Sequence, residues 1–342
     1  MIELINNYET LSIIGTAKNV GKTTTLNYLL KRLYKKKRIG LTSIGRDGES
    51  VDVVTHTKKP KIYVEAGTVV ATAKQCLLKS DFTKQILETT SIFTPLGEII
   101  IARALSEGFV DLAGPSMNSQ TRVIIERMKK YKVDLVLIDG AISRKSMADQ
   151  YISDATILCT GASYSSNINK VINDTAYFVN MLTLPKLKVD HLKIEEIIRT
   201  LIEETTVSII SCDGSVKKLP ITTSLNKALY ITSELDVDSR YLIIRGALSK
   251  QLLESLVAKR DCFKQLTIVI KNGTKCFFDT ETYNRLIKSN IDLRVINPTN
   301  LIAITYNPTS PYHYQFNEKL FRNELQEVIN IPVYNVIREA SD

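Results

Sequence analysis

A short apolar run, Leu11-Ser12-Ile13-Ile14, leads into a turn-like stretch from Gly15 to Gly21, after which Leu26, Leu29, Leu30 and Leu33 recur at helical spacing. This order of strand, glycine-bearing loop and helix constrains the chain more than any other feature, because it predicts a β-α unit whose loop amides gather at a helix start. The loop reads Gly15-Thr16-Ala17-Lys18-Asn19-Val20-Gly21-Lys22-Thr23-Thr24. Phosphate oxygens need several donors converging on one point, and such a loop supplies backbone N–H groups while the helix adds its dipole. Gly21 lets the backbone come close, Lys22 brings a point charge to the β- and γ-phosphates, and the Thr23 hydroxyl is placed to ligate a bridging magnesium. The strict pattern GxxxxGK[ST] is not met, since its first glycine would fall at Thr16 and the glycine stands one place earlier, at Gly15. The alternative is an ordinary glycine-bearing turn with an exposed lysine, which the strand, loop and helix order disfavours.

With 342 residues the chain exceeds the usual single-domain size, so two domains are expected. An apolar share of 44% with only 14 glycines and 9 prolines excludes a disordered or collagen-like chain. No apolar run reaches the roughly 18 to 20 residues that span a bilayer, and the opening Met1-Ile2-Glu3 lacks a basic-then-apolar signal, so a cytoplasmic chain with no membrane partner is expected. Cys76, Cys159, Cys212, Cys262 and Cys276 form no CxxC pair and read as free thiols. The net charge of +9 calls for something anionic, which a nucleotide satisfies. Part of it is one run, Lys31-Arg32 with Lys35 to Arg38, closing the helix after the loop, where cations complement the helix dipole. Nucleic acid is therefore not expected as a partner.

Further strands are expected at 39–44, 61–65, 98–102, 133–138 and 155–160, with helices at 118–130 and 167–182. Such alternation predicts an α/β fold, a mostly parallel sheet flanked by helices on both faces. The basic, proline-bearing Leu184-Pro185-Lys186-Leu187-Lys188 precedes an amphipathic helix with Leu192, Ile194, Ile197, Ile198 and Leu201, and marks a seam. Residues 1–185 are expected to form the loop-bearing domain, and residues 186–342, with strands at 207–211, 241–244, 266–270, 293–296 and 301–305, a second, smaller α/β domain.

A magnesium-side carboxylate is expected at the carboxyl end of a strand near the loop, and Val133-Asp134-Leu135-Val136-Leu137-Ile138-Asp139-Gly140 delivers Asp139 there. A third cluster, Gly45-Arg46-Asp47-Gly48-Glu49 with Asp52, follows the second strand. Asp47 is its first candidate for ligating magnesium or orienting an attacking water. Gly114-Pro115-Ser116 and Thr160-Gly161-Ala162-Ser163 also follow expected strands and either line a substrate pocket or merely turn the chain.

The Gly-Thr opening ahead of Gly-Lys-Thr resembles the loops of dethiobiotin synthetase and of the cobyric acid and cobyrinic acid diamide synthases, members of the SIMIBI class of P-loop NTPases. The resemblance covers about the first half of the chain, implies an NTPase using Mg2+ with ATP or GTP, places a switch segment at Asp47, and allows a homodimer with two sites across its interface. Guanine-specific relatives carry Asn-Lys-x-Asp, of which Asn169-Lys170-Val171-Ile172 has only the first half, so ATP is favoured without excluding GTP. Three roles follow: a ligase, a metallochaperone-type NTPase, or an ATP-driven helper of another enzyme. A glutaminase attached to a ligase would need a nucleophile, for which Cys212 and His313 are the candidates. Thr42 to Glu49, Thr94 to Glu98, Leu112 to Ser116 and the tail Ala303 to Tyr312 resemble the reactivase of adenosylcobalamin-dependent lysine 5,6-aminomutase. That implies two protein partners, the aminomutase and a second ATPase subunit. Tyr306, Tyr312, Tyr314 and Phe316 then suit either an interface or packing on their own domain.

Overall fold

The computed structural model describes residues 1–45, 61–140, 152–189 and 191–336. From the amino end run β1 (Thr10–Gly15), α1 (Lys22–Leu33), β2 (Ile39–Ile44), β3 (Ile62–Val64), β4 (Val69–Ala73), α2 (Lys74–Leu78), β5 (Lys84–Thr94), β6 (Gly97–Ala104), β7 (Gly108–Val110), α3 (Asn118–Lys129), β8 (Leu135–Gly140), β9 (Ala155–Gly161) and α4 (Ile168–Leu182). Next come α5 (Leu192–Glu204), β10 (Val207–Ser211), β11 (Val216–Lys218), α6 (Ala228–Ser233), β12 (Ser239–Ile244), β13 (Leu248–Ser249), α7 (Lys250–Ala258), β14 (Leu266–Ile270), β15 (Cys276–Phe277), α8 (Thr280–Ile287) and β16 (Ile291–Val295). The chain ends with β17 (Leu301–Asn307), α9 (Glu318–Val328) and β18 (Val333–Tyr334).

Two compact units result: Met1–Val179 with Asn300–Asp342, and Asn180–Thr299. The first holds a nine-stranded sheet in the order β18-β17-β9-β1-β8-β2-β4-β6-β5. It is parallel from β18 to β4, while β6 and β5 add an antiparallel edge. Alternate residues of β8 separate its two faces. Leu135 and Leu137 share a core with Leu26, Leu29, Leu30 and Leu33 of α1, whereas Val136 and Ile138 pack with Ile124, Ile125 and Met128 of α3. Each fully buried leucine of α1 contributes about 1.5–3 kcal/mol, so burial against the sheet, more than helix propensity, seats the helix that follows the loop.

Unit two is a separate α/β body with a five-stranded sheet, β11-β10-β12-β14-β16. Its β10 is antiparallel to both neighbours, and β12, β14 and β16 are parallel. From α5, Ile198, Leu201 and Ile202 pack with Ile210, Ile243 and Val269.

The expected division at 185/186 thus differs from the structure at both ends, since the second unit begins at Asn180 and stops at Thr299. Residues 300–342 return to the first unit because β17 pairs with β9, Ile304 opposite Leu158 and Thr305 opposite Cys159. An apolar strand must satisfy its backbone groups along some sheet edge, and its own composition does not say which one. β4 and β5 fall outside the expected strands. β5 is an edge strand that is mostly solvent-accessible, and its pairing is broken by register shifts, so it lacks the apolar pattern of a buried strand.

Gly114 carries a backbone crossing: a β-carbon there would sit 1.6 Å from the Ser43 carbonyl oxygen. The segment is held by Gly45 N–H donating to Pro115 O at 2.8 Å. Gly114→Ala therefore forces the backbone apart and is expected to destabilise the protein by about 3 kcal/mol in urea unfolding. Gly67→Ala, at φ +93 with no atom within 4 Å of the added carbon, is expected to cost only about 1 kcal/mol. Equal effects of the two substitutions would refute the close approach.

Candidate functional site

β1 ends at Gly15 and α1 begins at Lys22, so the loop lies where the strand, loop and helix pattern places it. Asn19 (φ 59) and Gly21 (φ 97) are both left-handed, turning the backbone into the helix start. The first helical bond is Thr25 N–H to Gly21 O at 2.9 Å, which leaves the N–H groups of Lys22, Thr23 and Thr24 as the helix-end donors. No side chain caps that end, and its first turn holds no acid. A phosphate is the kind of group that suits this end.

The departure at position 16 has a structural cause. A β-carbon on Gly15 would lie 2.8 Å from Cγ2 of buried Val20 and 3.1 Å from the Lys22 stem, so glycine stands where the lysine folds back across the loop. The Lys22 Nζ reaches Ala17 O at 3.4 Å. Thr16 is buried and tied to β9, its N–H donating to Cys159 O at 2.9 Å and its hydroxyl to Thr160 Oγ1 at 3.3 Å. Thr160 and Thr175 hydroxyls lie 2.7 Å apart, and Thr175 donates to Val171 O, so a hydroxyl relay runs from the loop opening into α4. Lys18 is exposed, with its carbonyl accepting from the Ser163 hydroxyl at 2.8 Å.

The two aspartates of the 133–140 stretch have different fates. Asp134 accepts from the Arg38 guanidinium at 2.6 Å and from its backbone N–H at 2.8 Å, and the guanidinium chiefly holds the Asp134 carboxyl down to about 2. It closes the amino end of the sheet. Asp139, five residues on, stands at the carboxyl end of β8, opposite Ile13 of β1 on one side and Ser43 of β2 on the other. Its Oδ1 is shut away from solvent. Burial pushes the Cys159 thiol up, and the Thr305 and Thr25 hydroxyls pull it down. The positive charge of Lys22 lowers the same thiol and the negative charge of Asp139 raises it, both more weakly than burial does. Asp47, with Arg46, Glu49 and Asp52, lies outside the described residues.

Strand β1 is flanked by β8 and β9, and the chain leaves β1 and β9 in opposite directions: β1 connects through α1 to β2 on one side, whereas β9 is followed in this sheet by β17 on the other. Open α/β sheets form their ligand crevice at such a reversal, at the carboxyl ends of the strands. The two loops that the sequence left between pocket and turn both close on this edge. Gly114 and Pro115 lie against Ser43 and Gly45, and Gly161 approaches Asn307 so closely that a β-carbon would meet its carbonyl at 2.4 Å.

Residues on β17 escaped the sequence reading of the site. Asn307 accepts from Ala162 N–H at 2.9 Å, and its Cβ lies 3.6 Å from where a β-carbon on Gly21 would stand. Their signal was the tail motif, which the sequence alone could not attach to the start of α1, where Thr25 meets Thr305 across 280 residues. Of the tail aromatics, Tyr306 and Phe316 pack edge-on against Phe321 of α9, and the Tyr314 hydroxyl donates to Ala162 O, so these three hold their own unit together. Tyr312 is exposed.

Cys212 follows β10 in a turn that runs directly into β11 through Gly214 (φ 84), so it sits in a hairpin and not on the strand-to-helix elbow a glutaminase nucleophile needs. Among the described residues, no helix is long and apolar enough to cross a membrane. No family model matches the sequence, and no curated protein matches it. Among solved structures the chain is similar to pNOB8 ParA bound to nonspecific DNA, at 14% identity and a TM-score of 0.26, covering 57% of this chain and 74% of that one.

Proposed function

We propose that the chain binds a nucleoside triphosphate with magnesium at Gly15 to Thr24 and hydrolyses it, with ATP preferred to GTP. The observation that carries this reading is Lys22, folded over Gly15 at the head of an uncapped helix whose preceding strand is paired with the one that carries Asp139. Thr23 and Asp139 offer a hydroxyl and a carboxylate on the carboxyl edge, oxygen donors of the kind a hard divalent cation takes. A divalent cation held by these residues would supply positive charge to offset that of a bound triphosphate. The loop amides hold the phosphates in place, Lys22 balances the charge that develops on the leaving oxygens, and buried strand ends limit water. Asp47 is the residue offered for orienting the attacking water. Asn169 and Lys170 lie inside α4 and not in a loop at the sheet edge, which gives guanine no reading element there and supports ATP.

The finer role rests on the sequence resemblance: an ATP-driven accessory factor that reactivates an adenosylcobalamin-dependent aminomutase, acting with a second ATPase subunit. The alternatives are an ATP-dependent ligase of the dethiobiotin or cobyric acid synthase type and an NTPase metallochaperone. Phosphate release measured with purified aminomutase subunits, against release with small carboxylate and amine pairs, separates them. Stimulation by the protein partner is expected; stimulation by the small molecules alone would overturn the accessory role in favour of the ligase.

A further inference from the structure

Thr25 is fully buried in the first turn of α1, two residues beyond Thr23. A threonine inside a helix ordinarily turns its hydroxyl back to the carbonyl four residues earlier, or out to water. Here the carbonyl of Gly21 takes the Thr25 N–H, and the Thr25 hydroxyl instead lies 2.9 Å from the hydroxyl of Thr305, which is 2% exposed on β17. The Cys159 thiol donates to the same Thr25 oxygen at 3.6 Å. Three buried polar groups from α1, β9 and β17 thus meet directly behind the loop. Residues two apart on a strand share a face. Thr305 holds the first turn of α1, and Asn307 on that face stands beside Gly21. One strand face therefore backs the helix start that carries Lys22 and Thr23.

We infer that Thr305 is a positioning residue for the phosphate loop, acting through Thr25 to set where the helix-end amides, Lys22 and Thr23 stand relative to a bound triphosphate. This rests on the nucleotide reading above. A purely structural threonine would lower stability and leave phosphate recognition alone, whereas a positioning residue changes how the protein tells a triphosphate from a diphosphate.

The test is calorimetric titration of the full chain with magnesium-ATP and magnesium-ADP, with thermal unfolding of the nucleotide-free protein beside it. Thr305→Val keeps the shape and removes the hydroxyl, and it is expected to weaken ATP binding roughly fivefold or more and to shrink the ATP over ADP preference. Thr305→Ser is expected to restore both. Thr25→Val removes the same bond from the helix side, together with the acceptor of the Cys159 thiol, and serves if the strand variant does not fold. The double substitution is expected to cost less than the sum of the single ones, because neither hydroxyl is left without its mate. An unchanged ATP over ADP preference in Thr305→Val and Thr25→Val, in protein whose binding is lost with Lys22→Ala, overturns the positioning role alone. No nucleotide binding by the unaltered chain overturns the site itself.

Discussion

Lys22→Ala is expected to weaken magnesium-ATP binding by on the order of 10²–10³ in isothermal calorimetry, the cost of removing one partner from a desolvated charge contact. The stem of Lys22 also covers Gly15, so alanine removes packing together with charge. Lys22→Met separates them, because it keeps an unbranched stem over the glycine and lacks the ammonium. Equal loss in both variants assigns the effect to charge. Retention of affinity in methionine alone would make the lysine a packing residue, and unchanged affinity in both would remove the nucleotide site from this loop. Thermal unfolding of each variant without nucleotide shows whether the fold survives the substitution.

The second large effect concerns Asp139. Asp139→Asn preserves size and polarity while removing the charge, and is expected to lower steady-state hydrolysis about 10²-fold and to raise the magnesium concentration needed for half-maximal rate. Asp134→Asn provides the contrast, since that carboxylate is engaged by Arg38 at the amino end of the sheet. It is expected to leave hydrolysis and magnesium dependence as they are. A magnesium titration that coincides for Asp139→Asn and the unaltered protein would take the metal-side role away from β8. A loss shared by Asp134→Asn would mean that the strand as a whole, and not its carboxyl end, carries the effect.

These two aspartates show what sequence spacing can and cannot decide. Both flank the same apolar run, and each is a plausible turn residue. Strand direction distinguishes them, because a parallel sheet puts every carboxyl end on one edge, so the aspartate that follows the run belongs with the loop and the one that precedes it does not. That inference needs only a β-α order, which is why the position of Asp139 at the carboxyl end of β8 is legible in the sequence. The expected strands at 39–44 and 155–160 correspond closely to β2 and β9, central strands buried along their whole length that carry apolar residues interspersed only with small ones such as Gly40, Thr42 and Ser43.

Local chemistry alone determined the loop and its helix, the strand carrying Asp139 and the α/β alternation, because each is written in the spacing of neighbouring residues. Only the tertiary structure decided that Thr16 replaces a glycine by bonding to β9, that β17 crosses back to stand behind α1, and that Gly114 lies against Ser43. Those are contacts between residues far apart in the chain, and partner choice among distant strands depends on which edge is left open once the rest has packed, a property of the assembled sheet that no single segment carries.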